Sequence, residues 1–151
     1  MPGQDRFLED VVPGETSEAG PVVITEAEII AFGRAYDPQP FHTDPVSAAA
    51  GPFGSLIASG WHVASVVMRQ AVESRPYGNT PLLGMGVDEL RWLHPVRPGD
   101  SLMIRREILS VTRSTSKPDR GMVKTRVEVS NQSGRTVMIF TTLTQMPARS
   151  G

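Results

Sequence analysis

Apolar positions along the chain follow two periods. From Thr25 to Tyr36 they recur at helical spacing, with Ile29, Phe32, Gly33 and Tyr36 on one face. Thr25 and Glu28 open this stretch as a capping box. From Met122 to Asn131 the period falls to two: Val123, Thr125, Val127 and Val129 face one way, Lys124, Arg126 and Glu128 the other. Asn131 to Gly134 reads as a hairpin turn, and Thr136 to Gln145 as the closing strand. Leu102 to Val111 and the short run Pro21 to Ile24 predict two more strands. Between these groups, Trp61 to Val72 carries apolar residues on nearly every side until Arg69, the pattern of a helix buried all round. Leu82 to Val87 is apolar with two glycines, Gly84 and Gly86. It reads as a strand that a ligand or another backbone approaches closely, continued through Leu93.

The order is strand, helix, loop, small helix, long buried helix, then at least four antiparallel strands. A lone apolar helix followed by a meander predicts an α+β fold, with the sheet wrapped around that helix. A chain of 151 residues suits a single domain.

The segment from Tyr36 to Ser65 carries the candidate chemistry. Pro38 and Pro40 lack an amide hydrogen and push Asp37 and Gln39 out of the helical region, so Asp37 and His42 are expected on a rigid, non-helical loop. A carboxylate and an imidazole together can hold a water and move its protons. Spacing alone equally allows Asp37 as a turn or cap residue and His42 as a structural histidine. Asp44 and Pro45 start a short helix that Gly51-Pro52 stops. Ser59 suits the N-cap of the long helix. Gly60 then falls in a first turn that has free backbone donors and the positive end of the dipole. That is an oxyanion hole if a ligand carbonyl comes close, or simply a tight entry into the helix.

Composition narrows the classes. There is no cysteine, hence no disulfide and no thiolate metal site. A net charge of -1 gives no broad attraction to nucleic acid or anionic lipid. No apolar run approaches the roughly 20 residues that span a bilayer, and no secretory signal opens the chain, so a cytoplasmic location is expected. His42, His62 and His94 do not share a metal-ligand spacing, and no nucleotide motif follows a strand. His94, before a proline, reads as structural.

Asp37, Gln39, Pro40 and His42, followed by Gly54, Ile57, Ala58 and Gly60, give Asp-x-x-Pro-x-His and then Gly-x-x-Ile-Ala-x-Gly. This pair of motifs resembles the MaoC-like dehydratases, which include the (R)-specific enoyl-CoA hydratases, and the resemblance extends from about Arg6 to about Met146. The family motif is usually Asp-x-Asn-Pro-x-His. Gln39 stands in the asparagine position, one methylene longer. The resemblance implies a hot dog fold, a homodimer with an acyl-thioester tunnel near its interface, and reversible hydration of a trans-2-enoyl thioester of CoA or acyl carrier protein, with no further cofactor. It assigns Asp37 and His42 to the water, the Gly60 amide to the thioester oxygen, and Gln39 to orienting them. Ser59, Trp61, Gly84 and Met85 are expected along the substrate. Two alternatives stand beside this: a hot dog thioesterase and a non-catalytic acyl-binding module. The thioesterase would want a carboxylate on the central helix, where the only acid is Glu73, near the far end.

Overall fold

The computed structural model describes residues 3–149. After a short 3-10 turn at Leu8–Asp10 the chain forms β1 (Thr16–Val23), α1 (Glu26–Tyr36), α2 (Pro40–Thr43), α3 (Pro45–Ala50) and α4 (Gly60–Ser74). Then come β2 (Leu83–Trp92), β3 (Ser101–Arg113), β4 (Arg120–Ser130) and β5 (Thr136–Pro147). The five strands make one antiparallel sheet in the order β1-β3-β4-β5-β2. With α4 packed on it, this is the hot dog fold.

The alternation in β4 holds as read: Val123, Thr125, Val127 and Val129 are all buried. Val127 and Val129, with Leu102, Ile104 and Met138, form the sheet side of the main core. Ile29 of α1 and Val63, Val66 and Val67 of α4 form the other side. Each such buried aliphatic side chain contributes about 1.5–3 kcal/mol. A smaller cluster of Leu8, Val11, Ile108 and Met146 closes the far end of the sheet. Among the described residues no helix is long and apolar enough to cross a membrane.

Three expectations are corrected. The strands do not form a simple meander: β2 pairs with β5, not with its sequence neighbour β3. β1 begins at Thr16, before the Pro21–Ile24 run. It is a largely exposed edge strand, so its first half carries no apolar signal. α4 is buried on one face only within this chain, since Trp61, Met68 and Val72 are exposed. Within this chain, no described residue crowds the glycines of β2. Space is open at Gly84, and Gly86 is in ordinary contact with Leu143. Met85 is the extra residue of a bulge between Gly84 and Gly86.

Candidate active site

The site begins at the C-terminal end of α1. Thr25 caps the helix by accepting from the Glu28 amide, and Asp37 ends it, its own amide bonded to Gly33 O at 2.9 Å. The Gln39 amide then donates to Asp37 O at 2.8 Å, closing a three-residue turn across Pro38. That turn folds the Gln39 side chain back, and its Nε2 donates to Asp37 Oδ1 at 2.8 Å. Pro40 occupies the first position of α2, where a missing amide hydrogen leaves no bond unmade. His42 therefore sits on a one-turn helix, which corrects the expected non-helical loop. Asp44 caps α3 through the Val46 and Ser47 amides, as read.

Asp37 and His42 meet. His42 Nε2 lies 3.2 Å from Asp37 Oδ2. The ring is buried and its other nitrogen, Nδ1, lies 2.7 Å from Ile57 O. A carbonyl only accepts, so Nδ1 carries a hydrogen. The Nε2 to Oδ2 contact is then a hydrogen bond only when one proton lies between the two groups. Asp37 is held below its ordinary value of 3.8, chiefly by the Gln39 amide and further by Ser59 and His42, against the opposing effect of burial. Both carboxylate oxygens are thus engaged, one by Gln39 and one by His42.

The segment from Leu56 to Ser59 is buried between α2 and the loop after β2, with Ile57 N bonded to Phe41 O and Ala58 N to Val96 O. It delivers the chain to Gly60, the first residue of α4. Ser59 holds the N-cap position, but its hydroxyl does not cap the helix and has no hydrogen-bond partner among the described residues. Ser59 nonetheless adds to the depression of Asp37. The first-turn amides of α4 are left uncapped by that side chain, and they form the positive end of the helix dipole.

A pocket of about 250 Å³ opens here, and both His42 and Gly60 line it. Its other walls are apolar, among them Ile57, Val63, Val96 and Val137. Trp92, Leu93 and His94 also line it. Trp92 and His94 were not singled out by sequence, His94 having been read as structural. The remaining expected residues lie elsewhere. Gln39 contacts Asp37 rather than the pocket. Trp61 is exposed and packs edge-on against Trp92, their centroids 5.0 Å apart. Gly84 and Met85 are exposed on β2 and do not line the pocket of their own chain.

Two arginines near these elements bind the protein itself. Arg97 donates to Phe53 O and Ser55 Oγ, and Arg113 reaches Glu9 and Pro118 O.

The family model described as "MaoC like domain" matches residues 7–132. A 3-hydroxyacyl-thioester dehydratase Z of Mycobacterium tuberculosis is 31% identical over 110 residues, 72% of this chain and 73% of that protein. The crystal structure of a MaoC-like dehydratase from Rhodospirillum rubrum superposes with a TM-score of 0.86 at 37% identity, covering 97% of this chain and 99% of that one. An R-hydratase from Pseudomonas aeruginosa shares the fold, with a TM-score of 0.77 at 24% identity over 95% of this chain and 86% of that one. A motif pair, a fold and a family model thus converge: the chain belongs to the MaoC-like dehydratase family.

Proposed function

We propose that the protein adds water reversibly to a trans-2-enoyl thioester, giving the 3-hydroxyacyl thioester. The observation that carries this reading is the Asp37–His42 pair, 3.2 Å apart, with His42 on the wall of the pocket that Gly60 also lines. In hydration the pair takes a proton from water as the water oxygen bonds to C3. The C2–C3 π electrons move toward C1, and negative charge develops on the thioester oxygen. The Gly60 amide and the helix dipole stabilise that charge more in the transition state than in the ground state. Collapse of the enolate takes a proton onto C2 from the pair, which ends the cycle with the protons it began with. Ile57 O fixes the imidazole and Gln39 fixes the carboxylate, so little reorganisation is needed at the moment of reaction.

A homodimer is part of the proposal. Leu83, Met85 and Val87 on β2, with Trp61, Met68 and Val72 on α4, are apolar and exposed. β2 is also a sheet edge with unpaired backbone groups. A second copy of the chain covers such a surface by self-complementary pairing.

Incubation with crotonyl-CoA and a panel of longer and branched enoyl thioesters tests the function. Loss of the enoyl absorbance without release of thiol is the expected result. Thiol release would make the protein a thioesterase. That reading is disfavoured because Glu73, the one acid of α4, is exposed near its C-terminal end. Binding without turnover of any thioester would make it an acyl-binding module.

A further inference from the structure

The Gly60 amide points out of the first turn of α4. Ser59 O belongs to the same peptide group and accepts from the His62 and Val63 amides at 3.0 and 3.2 Å, so that carbonyl is turned into the helix. The peptide is trans, which sets its N–H opposite the carbonyl. The Gly60 hydrogen is therefore aimed away from the helix body. It makes no hydrogen bond among the described residues, and Gly60 lines the pocket. The far side of the residue has no such tether of its own, because glycine adopts a wide range of backbone angles. A donor that wanders stabilises a developing charge poorly, whereas one fixed in advance needs no reorganisation when the charge appears.

Trp92 supplies the missing tether. Its Nε1 donates to Gly60 O at 3.0 Å, and its ring fills the place that a side chain on Gly60 would take. The helix thus holds the peptide before Gly60, and the sheet holds its Cα and carbonyl. The indole reaches Gly60 because β2 is irregular. Asp88 stands opposite Thr141 but Arg91 opposite Ile139, so Glu89 and Leu90 share the one position opposite Phe140, a β-bulge. Glu89 sits at φ 53°, a conformation a non-glycine residue holds when its surroundings impose it. The extra residue reverses the parity of the strand. It puts Trp92 on the side of Met138, which is fully buried in the core that α4 shares. Just beyond, the Leu93 amide donates to Val137 O at 2.8 Å and fixes the strand there.

We infer that Trp92 is the positioning residue of the oxyanion site: its indole N–H and ring hold Gly60 so that the amide keeps one direction while charge grows on the thioester oxygen. The inference rests on the reading of that amide as the donor to the thioester.

Trp92→Phe tests it, since that variant keeps a ring against Gly60 and loses the N–H. Trp92→Tyr, which also lacks that N–H, serves if the phenylalanine variant does not fold. Two readouts are compared with the wild type. One is the infrared band of the thioester carbonyl in bound butyryl-CoA labelled with carbon-13 at that carbon. This saturated thioester cannot be hydrated, so the band reports the donor and not the chemistry. The wild type is expected to show a narrow band at lower frequency than the free thioester, and the variant a broader band shifted back toward it. The other readout is hydration of an enoyl thioester. The variant's kcat should fall about tenfold, less than the roughly hundredfold or more that outright loss of an oxyanion donor costs, with KM little changed. A wild-type band and kcat in the variant overturn the inference. So does a loss of kcat with the band unmoved, which would make Trp92 merely structural. A wild-type band that is not displaced overturns both the inference and the role given to the Gly60 amide. A band that relaxes as expected in a protein inert toward every enoyl thioester leaves Trp92 as the positioning residue and removes the hydratase.

Discussion

His42 crosses α1 directly over Gly33. A side-chain carbon at position 33 would stand 2.8 Å from the His42 carbonyl oxygen and 3.0 Å from its Cβ. The closeness of the two helices, and with it the meeting of His42 and Asp37, depends on that missing side chain. Gly33→Ala is therefore expected to push α2 away. Overpacking of this kind costs about 1–3 kcal/mol, a fall of several degrees in Tm for a chain of this size, and turnover should drop with it. Calorimetry and a hydration assay on the same preparation check both; an unchanged Tm would mean that α2 yields freely.

Gln39 sets the charge on Asp37. Its amide is the largest cause of the depressed carboxyl pKa, so Gln39→Ala should raise that pKa toward the ordinary 3.8. The acid limb of the kcat/KM profile then moves to higher pH. The stability effect has a definite sign. A depressed folded-state pKa contributes stability that is present at neutral pH and lost as pH falls from 3.8 through the folded value. The variant loses part of that contribution. An acid limb that stays in place would show that the Oδ1 bond does not tune Asp37.

His62 should make the fold sensitive to mild acid. It is buried, stacks on Phe32 with centroids 5.0 Å apart, and its Nδ1 has no hydrogen-bond partner among the described residues. Burial lowers its pKa below 6.5, with Glu28 opposing and Arg69 assisting. The unfolded chain then binds the proton first, so stability is full above pH 6.5 and falls as pH drops toward the folded value. His62→Phe keeps a ring against Phe32 and should flatten the dependence of Tm on pH in that window. A slope equal to that of the wild type would assign the acid sensitivity elsewhere.

The exposed edge of β2 yields a test of assembly. Val87→Lys places a charge among the apolar residues of that strand, a device that blocks edge pairing. Sedimentation should show the wild type with the mass of two chains and the variant with the mass of one. Equal masses would place the interface on another surface.

What was legible in the sequence follows from range. Thr25, Asp44 and the alternation of β4 act on near neighbours, so local pattern revealed them. Asp37 and His42 are five residues apart on a segment stiffened by two prolines, and Gly60 opens a recognisable apolar helix. Trp92 was opaque for a different reason. Its direction depends on a bulge at Glu89 and on pairing with β5, more than forty residues away. Gly33 looked like one more small residue on a packing face, because its use depends on the close crossing of α2. The exposure of Met68 and Val72 corrected an apolar pattern that specifies burial but not the surface that provides it.

The most direct test is the rate of hydration of crotonyl-CoA, or of the best enoyl thioester from the panel, by the wild type, Asp37→Asn and His42→Gln. If the pair moves the protons, each variant should lose on the order of a hundredfold or more in kcat, while its affinity for the saturated thioester stays near that of the wild type. Variants that turn over as fast as the wild type would contradict the account.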